Sequence, residues 1–333
     1  MRSKFYYLVY ILSIILILVI ISIIIIHILS ILYYNNSNST HIPIIIFKLP
    51  RSGSTWLTER LNSIPNVYIS KEIIQRSDVL LYNSKEQEKF LIDALNKPKG
   101  KISDKDKIIP SNRYFQDYYF HSTFKLFRKM EVLGFTLNPE HSQNINWKDI
   151  YDNNNKVRII VLKRGNIIKT ALSGYRGKEN KIKCGQSNIR SNSNNCILTQ
   201  LNLTNYEFVQ EIKKWQERFD NFDNFINSIP FQKTILYYEQ LQQNFNSHIH
   251  RVFNEIGIGK VITDKKIESK SVWMKRNPDD LRQIILNYDS IRNSLIKGNC
   301  SCLLKHLDSY ETELFYDRCK EKIITKGNNI ICM

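Results

Sequence analysis

The chain has 333 residues, enough for one large domain or two small ones, and its 42% apolar content is enough to build a hydrophobic core. The 48 Lys and Arg residues outnumber the 31 Asp and Glu residues, and the formal charge of +17 indicates an anionic binding partner. The cysteines include no C-x-x-C pair, which argues against a zinc site.

The N-terminal part of the chain predicts a membrane anchor. Residues 5–34 are almost all Ile, Leu, Val and Tyr, a stretch longer than the roughly 20 residues that cross a bilayer, and no small-residue cleavage site follows it. Arg2 and Lys4 precede this stretch and the next Lys or Arg is Lys48, so the positive-inside rule leaves the N-terminus cytosolic. This type II, single-pass topology argues against nucleic acid as the anionic partner. The expected organisation is a cytosolic tail at 1–4, a transmembrane signal anchor at 5–34, a luminal stem at 35–41 and a luminal domain at 42–333.

A luminal location makes two further sequence features informative. Cysteines suit an oxidising compartment, and Cys184 and Cys196, which bracket a Ser/Asn-rich stretch, are predicted to pair locally. The pairing of Cys300, Cys302, Cys319 and Cys332 cannot be deduced from the sequence. Several sites fit the N-glycosylation pattern, although an Asn-rich chain also produces such matches by chance. These sites begin at Asn35, Asn38, Asn202 and Asn299.

From residue 42 onwards, strand-like and helix-like patterns alternate along the chain. Short apolar runs predict buried strands at 42–47, 157–162 and 234–238. Apolar residues at helical spacing predict helices at 55–64, 86–95, 167–172, 205–226, 248–256 and 281–295. This alternation predicts an α/β fold in which a parallel sheet has helices on both faces. Folds of this kind bind ligands at the carboxyl ends of their strands.

The loop between the first predicted strand and helix is rich in hydrogen-bond donors. Amide N–H groups at a helix N-terminus and the helix dipole both favour a bound anion, and Arg51 adds a positive charge. The loop contains no G-x-x-x-x-G-K-[ST] motif, so it is not a nucleotide-kinase loop. The predicted anion-binding residues are Arg51, Ser52, Gly53, Ser54, Thr55 and Trp56.

A second cationic element follows the second predicted strand. Arg164 leaves the end of this strand, and Asn166 is a plausible helix N-cap. Ser173 lies about two turns along the helix, on a face that could approach the same ligand. A guanidinium together with a hydroxyl suits a terminal phosphate.

Three segments resemble the sulfotransferases that use 3′-phosphoadenosine 5′-phosphosulfate (PAPS). R-S-G-S-T-W-L at 51–57 resembles their 5′-phosphosulfate loop, and Arg164 with Ser173 resembles their 3′-phosphate element. The strand at 234–241 resembles their V-x-Y-E-x-L segment. The spacing from Arg164 to Ser173 is one residue longer than in the commonest form. It matches better the variant of Golgi carbohydrate sulfotransferases, with Gly165 in place of a second Arg.

This resemblance covers residues 42–258 and implies the sulfotransferase fold, a P-loop-like parallel sheet flanked by helices, here preceded by one transmembrane helix. It implies transfer of a sulfuryl group from PAPS to a hydroxyl or amine of a glycan or glycoprotein in the Golgi lumen, with no metal. The implied partners are an anionic nucleotide donor, a glycan or glycoprotein acceptor, and the membrane through the N-terminal helix. Protein-tyrosine sulfation and a catalytically inactive, glycan-binding glycoprotein are the alternatives.

The resemblance also implies roles for individual residues. Arg51 and the amides of 53–56 would hold the phosphosulfate, while Trp56 either stacks near the adenine or anchors its helix. Lys275 and Arg276 could close over the 3′-phosphate or adenine. Glu72 is the expected general base, provided that burial raises its pKa, and His121 is its competitor. The alternative for Glu72 is a surface carboxylate paired with Lys71.

Overall fold

The computed structural model describes residues 14, 17–25, 41–74, 83–96, 132–184, 200–261, 280–309, 319–327 and 329–333. The chain divides into two compact units, one before His41 and one from His41 onwards. In the first unit, the described residues are helical and their large apolar side chains are exposed. None of the helices among the described residues is both long enough and apolar enough to cross a bilayer. Most of the predicted anchor and stem lies outside the described residues.

The second unit is built around a five-stranded parallel sheet with the strand order β2-β3-β1-β4-β5. This architecture confirms the predicted α/β class with a parallel sheet. A separate antiparallel pair, β6 (Ile323–Lys326) and β7 (Asn329–Cys332), lies near the C-terminus. The strands of the large sheet are β1 (Ile42–Lys48), β2 (Val67–Glu72), β3 (Val132–Leu137), β4 (Arg158–Lys163) and β5 (Lys233–Tyr237).

Helices cover both faces of the large sheet. Short 3₁₀ turns are present at Pro139–His141, Gly259–Val261 and Leu281–Gln283. The α-helices are α1 (Ser54–Asn62), α2 (Ser84–Asn96), α3 (Trp147–Asn153), α4 (Ile167–Cys184), α5 (Asn205–Ser228), α6 (Tyr238–Gln243), α7 (Phe245–Glu255), α8 (Tyr288–Lys297) and α9 (Ser301–Asp308).

Strand β1 shows why the sheet is buried on both sides. Side chains alternate between the faces of a strand, so Ile45 and Phe47 belong to one apolar cluster and Ile44 and Ile46 to the other. The first cluster includes residues of α4 and α5, and the second includes residues of α1 and α7. A continuous apolar run is therefore what a central parallel strand requires.

Several elements differ from the sequence prediction, which also missed α3, α6, α9 and the pair β6–β7. Neither β2 nor β3 was predicted, and β3 contains Gly134, at which an added Cβ would overlap the carbonyl oxygen of Ile44. The predicted helix at 281–295 is wrong in its first part. There the backbone on both sides of Ile285 pairs with Leu201, and the α-helix begins only at Tyr288.

The C-terminal cysteines form two disulfides, Cys300–Cys332 and Cys302–Cys319, a pairing that the sequence left open. The predicted partner of Cys184, Cys196, lies outside the described residues. Each of the two bridges therefore joins the α9 region to the C-terminal strand region.

Strand β1 marks the point where the order of the sheet reverses. From β1 the chain places β2 and β3 on one side, and then crosses to β4 on the other side. In open α/β sheets, ligands bind outside the carboxyl ends of the strands at such a switch point. The loop that follows Lys48 therefore occupies the expected position for a ligand site.

Candidate functional site

The loop at 49–53 leads into the N-terminus of α1. Gly53 is the N-cap, and its carbonyl accepts a hydrogen bond from the amide of Leu57 at 3.0 Å. No side chain caps this helix, so the amides of its first turn have no partner within the helix and can bind a ligand. Arg51 has a φ of 66°, a left-handed conformation that costs free energy in a residue with a side chain.

Tyr238 supports this loop from the end of β5. An added Cβ at Gly53, whose φ is 85°, would overlap ring atoms Cδ2 and Cε2 of Tyr238. The guanidinium carbon of Arg164 lies 5.0 Å from the centre of the same ring, and Nη1 of Arg164 donates to the carbonyl of Arg51 at 3.2 Å. Tyr238 was not predicted as a site residue, although its position at the end of a strand is a signal that could have identified it.

Two polar groups of the site are buried without a hydrogen-bond partner among the described residues. They are Oγ of Ser52, whose residue is 3% exposed, and Nε of Arg164. A buried polar group without a partner costs about 1–3 kcal/mol, so such groups call for an explanation. Both are donors next to a helix N-terminus, and a bound anion would satisfy them.

The side chain of Arg51 lies against α4. An added Cβ at Gly177 would overlap the Arg51 guanidinium, so this glycine allows the close approach. Ser173 is one helical turn before Gly177 and is half-buried. Burial lowers the pKa of the Arg51 guanidinium from its ordinary value. Arg51 therefore contacts Arg164 through its carbonyl and, through its side chain, the helix α4 that also carries Ser173.

The remaining loop residues differ in how they are used. Trp56 is half-buried, packs against the second apolar cluster, and meets the rings of Tyr238 and Phe245 edge-on at centroid distances of 6.0 and 5.5 Å. These contacts are those of a helix anchor. Ser54 is half-buried and Thr55 is exposed.

Glu239 fixes the loop that carries Arg164. Its buried carboxylate accepts hydrogen bonds from the amides of Gly165 and Asn166 at 3.0 and 3.2 Å. Oδ1 of Asn166 accepts from the amide of Lys169 at 2.9 Å, which confirms Asn166 as the N-cap of α4. Glu239, which belongs to the segment at 234–241, therefore holds the loop that carries Arg164.

His306 supports the same helix N-terminus from α9. Its carbonyl accepts from Nδ2 of Asn166 at 2.9 Å, and its Nδ1 accepts from the amide of Ile167 at 3.3 Å. Burial lowers the pKa of His306 to about 4, and the charges of Lys305 and Lys169 contribute. Nδ1 can accept this hydrogen bond only while it carries no proton, so the native fold requires a neutral imidazole.

This requirement predicts a loss of stability in mild acid. Between pH 6.5 and pH 4 the unfolded chain binds a proton at His306 and the folded chain does not, so the free energy of unfolding falls as the pH falls. The loss should reach about 3 kcal/mol at pH 4. Denaturant unfolding of the full chain at several pH values measures it, and His306→Gln should remove this part of the pH dependence. An unchanged pH dependence in the variant would contradict the assignment.

Glu72 lies at the carboxyl end of β2, in a cluster that also contains Lys48 and His141. Its Oε2 is 2.6 Å from Nζ of Lys48, and its Oε1 is 2.8 Å from Nδ1 of His141. Burial raises the pKa of Glu72, but the hydrogen bond from His141 and the charge of Lys48 outweigh it, and the pKa lies below the ordinary value. The condition that burial raises the pKa of Glu72 is therefore not met, and the carboxylate faces Lys48 and His141. His121, Lys275 and Arg276 lie outside the described residues.

No family model matches the chain, and no curated protein matches it. Among solved structures, the chain is similar to the sulfotransferase domain of the Synechococcus PCC 7002 olefin synthase, with 15% identity and a TM-score of 0.34 over 67% of this chain and 75% of that one. It is also similar to a sulfotransferase from Alicyclobacillus acidocaldarius, with 13% identity and a TM-score of 0.36 over 79% and 94% of the two chains. Similarity to sulfotransferase STF9 from Mycobacterium avium has 12% identity and a TM-score of 0.33, over 86% of this chain and 82% of that one. Similarities at this level do not assign an activity to this chain.

Proposed function

We propose that this protein transfers a sulfuryl group from PAPS to a hydroxyl or amine of a glycan or glycoprotein. The observation that carries the proposal is the uncapped N-terminus of α1 beside two buried donors, Ser52 Oγ and Arg164 Nε, that have no partner among the described residues. An anionic nucleotide would complete the hydrogen bonding of this loop. The sequence of the loop, R-S-G-S-T-W-L, supports phosphosulfate as the anion.

Different residues of the proposed site would bind different parts of PAPS. The amides of 54–56 and the Arg51 guanidinium would bind the phosphosulfate, and they would stabilise the charge that develops on the departing phosphate. Arg164 and Ser173 would bind the 3′-phosphate. PAPS itself supplies the activated sulfuryl group, so the protein has to position the two reactants and stabilise charge, as in phosphoryl transfer.

Glu72 belongs to the acceptor side of the proposed site. It lies at the end of β2, while Arg164 follows β4 on the opposite side of β1. An acceptor bound above β1 and β3 would therefore approach the phosphosulfate from the side of Glu72. Residence in the Golgi membrane through the anchor at 5–34 is part of the same proposal. The charge asymmetry around that stretch supports a luminal orientation of the residues that follow it.

The proposed 3′-phosphate contacts predict a selective loss of nucleotide affinity. Arg164→Ala and Ser173→Ala should each weaken binding of adenosine 3′,5′-bisphosphate at least roughly tenfold, since hydrogen bonds to charged groups contribute about 1.5–3 kcal/mol. Adenosine 5′-phosphosulfate lacks the 3′-phosphate, and its affinity should change much less. Calorimetric titration of both ligands measures the difference. Arg158→Ala, at the opposite end of β4, is the matched control. Equal losses for the two ligands would contradict the assignment.

Transfer of radiolabelled sulfate from PAPS tests the activity itself. The full chain should label a member of a glycan panel, and tyrosine-containing acidic peptides test the alternative acceptor. A chain that binds the nucleotide but labels neither acceptor would be the inactive glycoprotein. A chain that binds only heparin, in a salt-sensitive way, would contradict the nucleotide site as well.

A further inference from the structure

The cluster of Lys48, Glu72 and His141 joins three adjacent strands at one edge of the sheet. Lys48 is the last residue of β1, Glu72 is the last residue of β2, and His141 ends the 3₁₀ turn that follows β3. Lys48 is also separated from the phosphosulfate loop by only two residues. The side chains of Glu72 and His141 are 20% and 19% exposed, so a bound acceptor can reach the cluster.

The distances within the cluster determine which group can accept a proton. Oε2 of Glu72 faces the ammonium of Lys48 at 2.6 Å, and Oε1 faces Nδ1 of His141 at 2.8 Å. Nδ1 also lies 3.4 Å from the carbonyl oxygen of Ile74. Both of its neighbours are acceptors, and two acceptors cannot form a hydrogen bond, so Nδ1 carries a proton. In the neutral imidazole, Nε2 then has the free lone pair. The carboxylate is already engaged by Lys48 and His141, while no described residue forms a hydrogen bond with Nε2 of the ring.

The position of His141 is fixed by its neighbours. Oδ1 of Asn138 caps the 3₁₀ turn by accepting from the amide of Glu140 at 3.3 Å. Arg218 of α5 holds the Glu140 carboxylate through Nε at 2.6 Å and Nη2 at 2.7 Å. Among the described residues, the charged groups near the ring are Glu72, Lys48 and Glu140, and Glu140 is paired with Arg218. Glu72 is the carboxylate within hydrogen-bonding distance of the imidazole.

We propose that Nε2 of His141 is the general base of the reaction and that Glu72 orients this imidazole. The proposal rests on the proposed function and replaces Glu72 as the group that takes the proton. The acceptor oxygen forms a bond to sulfur, the bond between sulfur and the bridging phosphate oxygen breaks, and its electron pair leaves on the nucleotide phosphate. The acceptor proton moves to Nε2, and the carboxylate of Glu72 stabilises the imidazolium through Nδ1–H.

Replacing His141 with Gly tests this role directly. Loss of a general base should lower kcat for sulfate transfer by about 10²–10⁴-fold. Affinity for adenosine 3′,5′-bisphosphate should be unchanged, which also shows that the variant is folded. Added imidazole should restore part of the rate, because the small molecule can take the place of the missing ring. Glu72→Ala removes the orienting carboxylate, which also pairs with Lys48, but leaves the base in place. It should therefore lower kcat less than His141→Gly, without rescue by imidazole.

Two further variants make the outcome decisive. His250→Gln, a histidine of α7, is the control and should transfer sulfate at the parent rate. His141→Gln fills the space of the ring without supplying a base, so it should be as inactive as His141→Gly if the latter is folded. A His141→Gly variant within a few-fold of the parent, together with an inactive Glu72→Gln, would overturn the proposal and return the base to Glu72. A parent chain that binds the nucleotide but transfers no sulfate would contradict the proposed function instead, and this proposal with it.

Discussion

Arg51→Ala should lower sulfate transfer by about 10²-fold or more while the fold survives. The side chain leaves a half-buried loop rather than a core strand, so the hydrophobic core keeps its contacts. A charge-assisted contact that strengthens as the leaving phosphate gains charge acts mainly on the transition state, and its loss therefore appears in kcat. Steady-state kinetics of the full chain with PAPS measures the effect, and thermal unfolding tests the fold.

Other variants separate the charge of Arg51 from its position. Arg51→Lys keeps the charge but not the paired donors, and should fall between the parent and Arg51→Ala. Gly177→Ala displaces the guanidinium without removing it, and should also lower the rate. Arg251→Ala, a surface arginine of α7 paired with Glu255, is the control for a simple loss of positive charge. Activity of Arg51→Ala within a few-fold of the parent would contradict the assignment of this loop.

Gly53→Ala should weaken nucleotide binding on the order of 10²-fold. Its φ of 85° is unfavourable for Ala, and the new Cβ would overlap the ring of Tyr238. The loop would relieve both by moving, and the amides at the start of α1 would then no longer converge on one anion. Calorimetric titration with adenosine 3′,5′-bisphosphate measures the loss.

The chain offers a matched control for the backbone part of this effect. Gly257 has a φ of 78° with open space around its Cα, so Gly257→Ala has a similar backbone cost and no overlap. It should destabilise the protein modestly and leave nucleotide affinity unchanged. Removing the overlap with Tyr238→Ala should restore part of the affinity of Gly53→Ala. If Gly53→Ala binds the nucleotide as the parent does, the loop does not hold the phosphates.

Local sequence signals were reliable where neighbouring residues determine the structure. The apolar run of β1, the loop at 51–56 and the N-cap at Asn166 could all be predicted, because burial on both faces, turn chemistry and capping involve residues close in the chain. The strands β2 and β3 could not be predicted. Their burial comes from pairing with each other and with β1, which the local pattern does not record.

The contacts between site residues were also beyond what local sequence patterns predict. The sequence by itself determined an α/β fold with a cationic, hydroxyl-rich loop after its first strand. Only the tertiary structure decided that Tyr238 supports Gly53, that Glu239 holds the loop of Arg164, and that Glu72 faces Lys48 and His141. Each of these contacts joins the carboxyl ends of different parallel strands. Parallel pairing brings together residues that are far apart in the chain, and no short-range pattern encodes that distance.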